Sequence, residues 1–207
     1  MSELFYLRDA RSNTGSNAVF WRKNGHGYGT NLDELEVYTL SEAQKRHEGR
    51  NSDVPLLKSL VDIASISAVD CQVLPDSDGI DSGGQYIVQR KGHWNGNDIR
   101  FAGRYGETYE YEKAGIYTKE ETEGHFSDQE SYAVFSKAAL DNVARRTFQV
   151  GNIDLETMIK KPGIKLVKPK RQRATTGKTR HNCPTCGKIV WDLNPYDAPY
   201  CSRFCEP

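Results

Sequence analysis

Apolar residues in the first three quarters of the chain come in short runs separated by glycine and polar turns, a rhythm of strands and brief helices rather than of long amphipathic helices. Phe5-Tyr6-Leu7 and Ala18-Val19-Phe20-Trp21 are rich in β-formers and flank the turn-like Asn13-Thr-Gly-Ser-Asn17. Tyr86-Ile-Val-Gln89 and Ile99-Arg-Phe101 flank Trp94-Asn-Gly-Asn97 in the same way. The pattern predicts a hairpin in each region. Gly25-His-Gly-Tyr-Gly29 and Gly103-Arg-Tyr-Gly106 then interrupt the chain, and Thr39 and Thr118 follow as helix caps. Each threonine stands three residues before a glutamate, Glu42 or Glu121, the spacing at which hydroxyl and carboxylate satisfy each other's backbone amides. Leu56, Leu57, Leu60, Val61 and Ala64, and later Phe135, Ala139, Leu140 and Val143, fall at helical spacing and predict a second helix. Ala68–Leu74 and Thr147–Val150 read as closing strands.

The two regions share more than rhythm. Tyr38-Thr39-Leu-Ser-Glu42 returns as Tyr117-Thr118-Lys-Glu-Glu121, and Lys58-Ser-Leu-Val-Asp62 as Lys137-Ala-Ala-Leu-Asp141, both 79 residues later. The expected fold is therefore α+β: two tandem copies of a small β-hairpin/helix unit at 1–75 and 85–156, joined by an acidic linker at 76–84. A basic flexible linker at 157–181 and a small cysteine-rich module at 182–207 follow.

Composition sharpens this division. A 37% hydrophobic content and a mean hydropathy of -0.71 are low, but 10% aromatics argue against wholesale disorder. The zero net charge hides an asymmetry: residues 1–156 hold 17 Lys and Arg against 25 Asp and Glu, a net -8, and residues 157–207 hold 11 against 3, a net +8. Lys160, Lys161, Lys165, Lys168, Lys170, Arg171, Arg173, Lys178 and Arg180 form a run without one acid. Such a run releases condensed counterions from a phosphate backbone and gives salt-sensitive, sequence-independent affinity. Its competing reading is a solvated tether that folds back on the acidic body. Cys71, in Ala68-Val-Asp-Cys-Gln-Val-Leu74, reads as a small buried hydrophobe rather than a nucleophile.

The strongest chemical signal is Cys183-Pro-Thr-Cys186 followed by Cys201-Ser-Arg-Phe-Cys205. Four thiolates in two close pairs provide the all-sulfur tetrahedron that Zn²⁺ accepts. The same cysteines would pair as disulfides in an oxidising compartment, or hold an iron-sulfur centre. The first residues, Met1-Ser-Glu-Leu-Phe-Tyr-Leu-Arg-Asp9, lack a basic stretch followed by an apolar one, and no window is long enough for a membrane span. The expectation is thus a cytoplasmic protein with one structural Zn²⁺. A closed four-sulfur site has no open position for catalysis. His181 reads as a solvated linker histidine, and Trp191 and Tyr200 are expected to pack on the thiolates.

Cys183-Pro-x-Cys186-Gly-Lys188 with Pro199-Tyr200-Cys201-Ser202-x-x-Cys205 resembles the zinc finger of the bacterial YacG family of DNA gyrase inhibitors, and is similar to other treble-clef fingers. The resemblance implies ligation by Cys183, Cys186, Cys201 and Cys205, with a knuckle first and the second pair at a helix start. The aromatic, Gly-x-Gly-Tyr and Tyr-Thr-x-x-Glu pattern of the body resembles small accessory proteins of tailed bacteriophages, which implies action inside a bacterial host cell. Gly25–Gly29 is not a phosphate cradle: no Lys-Ser/Thr follows it and no helix opens from it. His26, Tyr28, Arg104 and Tyr105 are candidates for a recognition surface, although half-buried tyrosines beside an exposed histidine are the plainer reading. No acid, base and nucleophile set recurs, so an enzyme is not expected. The expected function is a non-enzymatic phage-type adaptor whose finger and basic segment engage DNA, RNA or a nucleic-acid-processing protein, while the acidic body binds protein or self-associates. The alternative is a phage inhibitor of a host enzyme, gyrase or a defence nuclease.

Overall fold

β1 (Leu4–Thr14) organises the first half of the chain. Its residues Phe5–Leu7 are all but fully buried, and Arg8 pairs with Phe20 of β2 (Asn17–Trp21) on one edge and with Val54 of β5 (Asp53–Leu57) on the other. β3 (Tyr28–Gly29) extends the sheet beyond β2, and β4 (Tyr38–Thr39) pairs with the start of β1. Helix α1 (Leu40–Gly49) opens on Thr39 with a complete capping box to Glu42. α2 (Lys58–Ile63) follows β5 directly, and β6 (Ile66–Ala68) leads to a 3-10 turn at Cys71–Val73. The structure is a computed structural model that describes residues 3–75, 84–167, 177–194, 196–197 and 199–207.

From residue 86 a second series runs: β7 (Tyr86–Asn95), β8 (Asp98–Gly103), β9 (Gly106–Thr108), α3 (Lys119–His125), β10 (Tyr132–Ser136), α4 (Lys137–Asp141) and β11 (Arg145–Thr147). The first four of these strands form a sheet in the order β10-β7-β8-β9, and Thr118 caps α3 through a box to Glu121. The architecture is mixed helix and sheet, as the pattern predicts. Two helical expectations need correction. Leu56 and Leu57 belong to β5 and Phe135 to β10, because each lies opposite an apolar residue of the long central strand: Leu56 opposite Tyr6, Phe135 opposite Ile87. Three apolar residues in five suit a two-sided buried strand as well as a helix face. The closing strands are also shorter than expected, ending at Ala68 and Thr147.

Residues Met1–Lys168 form one compact unit, and its halves exchange their ends. β6 pairs antiparallel with β11, Ser67 facing Arg146. Beyond that pair Ala18 donates to the Phe148 carbonyl at 2.8 Å and Val150 to Ser16 at 2.8 Å, while Ile99 donates to Val69 at 3.0 Å and Cys71 to Asn97 at 2.8 Å. Phe148 lies in the core of Phe5, Tyr6, Phe20, Leu32 and Leu56, and Val69 in the core of Ile87, Ile99, Phe101 and Phe135. The two hairpin turns meet at Gly15 and Gly96, both at positive φ, where a Cβ on either would strike the other's backbone. Polar groups close the seam. Asn17 donates to Asp98 at 2.5 Å, and Arg145 bridges Asp98 at 2.7 Å and Asp70 at 3.3 Å. Burial pushes the Asp98 carboxyl above its ordinary range, and the Arg145 charge opposes that shift.

Residues 157–167 pack on this unit rather than starting a free tether. Met158 and Ile159, inside a π-helical turn at Glu156–Lys160, and Ile164 just beyond it are buried in the first core. Gln44 of α1 hydrogen-bonds both the amide and the carbonyl of Lys165. Buried His47 accepts from the Val167 amide at 3.0 Å while its other ring nitrogen meets the Asp53 carbonyl at 2.9 Å, which fixes the neutral tautomer with the proton on Nδ1. Apolar residues between basic ones were sufficient to anchor this stretch. The linker predicted at 76–84 falls outside the described residues except for Gly84.

Candidate metal centre

The second compact unit, Pro169–Pro207, is built around a hairpin whose turn carries the first cysteine pair. β12 (Thr179–Asn182) pairs antiparallel with β13 (Ile189–Asp192). Between them Cys183 donates its amide to the Lys188 carbonyl at 2.9 Å, Gly187 donates to the Cys183 carbonyl at 2.8 Å, and Gly187 takes φ +72 to make the reversal. The second pair closes the chain around a 3-10 turn at Arg203–Cys205, and Thr185 Oγ1 donates to the Cys205 carbonyl at 2.6 Å. The resemblance implies a helix start at this pair, but only the short 3-10 turn is present.

All four ligand atoms of Cys183, Cys186, Cys201 and Cys205 lie within 4.8 Å of one another. Cys186 Sγ is 3.4 Å from Cys201 Sγ, which is 3.5 Å from Cys205 Sγ. A tetrahedron with metal-sulfur bonds of about 2.3 Å has edges of about 3.8 Å, so the spacing suits a shared central ion. A disulfide needs about 2.05 Å, and all five cysteines are free. Protonation points the same way. Backbone amides of Cys201 and Cys186 turned on the Cys183 sulfur pull its thiol down to about 6, whereas the Cys201 and Cys186 sulfurs push Cys205 up to about 12. Four sulfurs this close cannot all ionise until a cation lies among them. The cluster could therefore hold a metal ion through all four thiolates, leaving none of the four tetrahedral positions to a solvent ligand.

His181 is not a solvated linker residue. It lies on β12 opposite Val190, its ring nitrogens are buried without a hydrogen-bond partner among the described residues, and it is outside the sulfur cluster. Trp191, expected against the thiolates, lies on the hairpin face opposite that of His181 and Val190. Side chains alternate across the hairpin, and the inward positions go to His181 and Val190, so Trp191 faces outward opposite Arg180 at 58% exposure. Tyr200 is half-buried.

The basic run is distributed unevenly. Lys160 pairs with Glu156 at 3.0 Å, Lys161 and Lys165 are exposed on the first unit, and Lys178 and Arg180 are exposed on the second. Lys168, Lys170, Arg171 and Arg173 fall outside the described residues. The side chains of Lys178, Arg180, Lys188 and Arg203 have no partner among the described residues. Most cations of the first unit are engaged: Arg22 with Glu34, Arg100 with Glu107, Lys137 with Asp141, Arg146 with Asp33 and Asp62.

The suggested recognition residues differ in exposure and partners. Tyr28 packs on Trp21 with ring centres 4.4 Å apart and takes a 2.7 Å hydrogen bond from Arg50, whereas His26 is exposed. Arg104 is held by Glu121 and the Ile116 carbonyl over the Tyr117 ring, and Tyr105 projects fully into solvent. Among the described residues no helix is long and apolar enough to cross a membrane. No family model, curated protein or solved structure matches the chain.

Proposed function

We propose that the chain is a non-enzymatic adaptor: a zinc-loaded finger and the basic run before it engage nucleic acid, and the acidic first unit contacts protein. The observation that carries this reading is the coincidence, in one short unit, of a four-sulfur cluster with four cations unpaired among the described residues. Zinc is the ion favoured by an all-thiolate tetrahedron, and its binding would supply most of the folding free energy of so small a module. The bacterial, phage-type setting is the one implied by the resemblance of the body to phage accessory proteins.

In this reading the first unit is two copies of one fold element arranged about an approximate two-fold axis. Support comes from the reciprocal end exchange and from contacts that recur at the same offset: Arg146 meets Asp33, and Ser67 donates to Glu112 at 2.9 Å. The treble-clef description finds less support, because the hairpin encloses the first cysteine pair instead of separating the two pairs. Metal analysis of the purified chain, followed by chelation, tests the proposal. One zinc per chain is expected, and stripping it should abolish the finger's share of nucleic-acid affinity; a chain that purifies without zinc, or binds equally well after chelation, would be evidence against it.

A further inference from the structure

The cavities of the first unit offer a ligand little. The groove of about 600 Å³ lined by Arg22, Glu34, Asp70 and Arg145 has its charges paired with one another. The hollow of about 640 Å³ beside Trp21 and Asp53 is occupied at its rim by Arg50, which stacks over Trp21 and Tyr28 and faces both Asp9 and Asp53. The outward face of the finger hairpin differs. Arg180 lies directly across from Trp191, and Asn182 directly across from Ile189, so all four side chains share one face. Trp191 is 58% exposed and Ile189 49%. Residues directly opposite on paired strands have Cβ atoms about 5 Å apart, so the Arg180 and Trp191 side chains leave the hairpin from neighbouring positions.

We propose that this face is a stacking platform for single-stranded nucleic acid, with Trp191 receiving a base and Arg180 the adjoining phosphate. The proposal rests on the adaptor reading and specifies its nucleic acid. Three observations favour this occupant. The acid-free basic run ends in sequence at Arg180, across from the indole, and a run of that charge favours a polyanion. Arg180, directly across from the indole, has a side chain without a partner among the described residues and can take a phosphate, whereas an apolar protein segment laid on this face would leave that cation desolvated and unpaired. Finally, an exposed indole flanked by an aliphatic side chain offers a π-face, and base faces are available only where strands are unpaired. A duplex hides those faces and presents edges instead.

The test uses the full zinc-loaded chain and fluorescence anisotropy of a labelled twenty-nucleotide oligo-dT, against a twenty-base-pair duplex at the same salt. The expected result is tighter binding of oligo-dT, a loss of about 5- to 150-fold in Trp191→Ala, and retention of most affinity in Trp191→Phe. The salt slope should be unchanged in both variants, because the stacking contact releases no counterions. Trp94→Ala removes another half-exposed indole, in the first unit, and should bind as the parent does. Zinc content near one per chain in Trp191→Ala shows that the finger is still assembled. A duplex preference, or unchanged oligo-dT affinity in a zinc-replete Trp191→Ala, overturns the platform and leaves the adaptor reading standing. If the parent chain binds neither nucleic acid, both fall.

Discussion

Phe148 belongs by sequence to the second half of the first unit and by packing to the first half. Its ring is fully buried, 6.4 Å from Phe20 in an edge-to-face arrangement, and its carbonyl accepts from Ala18. Phe148→Ala keeps that main-chain bond and removes the ring. A Phe-to-Ala change in a tight core costs about 3–5 kcal/mol, the transfer loss plus the cavity. The mirrored residue, Val69, is also fully buried, and Val69→Ala should cost roughly 1.5–3 kcal/mol from its smaller apolar side chain. With a urea dependence of about 2 kcal/mol/M, Phe148→Ala lowers the unfolding midpoint by about 2 M. The informative probe is Trp94, in the second half, read in a Trp21→Phe/Trp191→Phe background. If the exchanged ends make one cooperative unit, Trp94 reports the full shift in a single transition that coincides with the circular dichroism. A Trp94 transition that stays in place while the first half melts early would refute the exchange as the source of cooperativity.

Cys186→Ser should release about one zinc per chain and disorder the finger, and the main thermal transition of the first unit should hold its midpoint; calorimetry with metal analysis reads both. Arg145→Leu leaves buried Asp98 without its cation and should cost about 3–5 kcal/mol, seen in the urea midpoint, because an unpaired buried charge is worse than no pair. Asp9 is held below the ordinary carboxylate range first by its hydrogen bonds from Arg11, so its contribution is complete above the unfolded value near pH 4 and is lost as pH falls through the lower folded value. Asp9→Asn should therefore flatten the acid limb of a stability-versus-pH curve below about pH 4. Asp53, opposite it on β5, is raised by burial and carries the reverse sign, its contribution fading as pH rises through the folded value.

Signals that depend on a few neighbouring residues were legible in the sequence. Both capping boxes stand where Thr and Glu three apart place them, and the four cysteines converge as their spacing requires. Signals that depend on which strand lies opposite were not. Leu56-Leu57 reads as the start of a helix until β1 is placed beside it, and Pro55 just before is tolerated because this strand's outer edge needs no donor. The end exchange is invisible locally, since Phe148 and Val69 are equally apolar whichever core receives them. Reading the basic run by charge alone hid Met158, Ile159 and Ile164, which anchor its beginning. The outward turn of Trp191 was recoverable in principle: in Ile189-Val-Trp-Asp192 the period of two puts Trp191 and Val190 on opposite faces, and only one can meet the sulfurs.

The most direct test of the account is the dependence of nucleic-acid affinity on salt, measured for the full zinc-loaded chain and for residues 1–168. Single-strand binding through four to seven phosphates predicts that the logarithm of the association constant falls with the logarithm of salt at a slope of about -3 to -5. That slope is expected for the full chain, with no measurable binding for residues 1–168. A flat salt dependence, or equal affinity in the shortened chain, would contradict it.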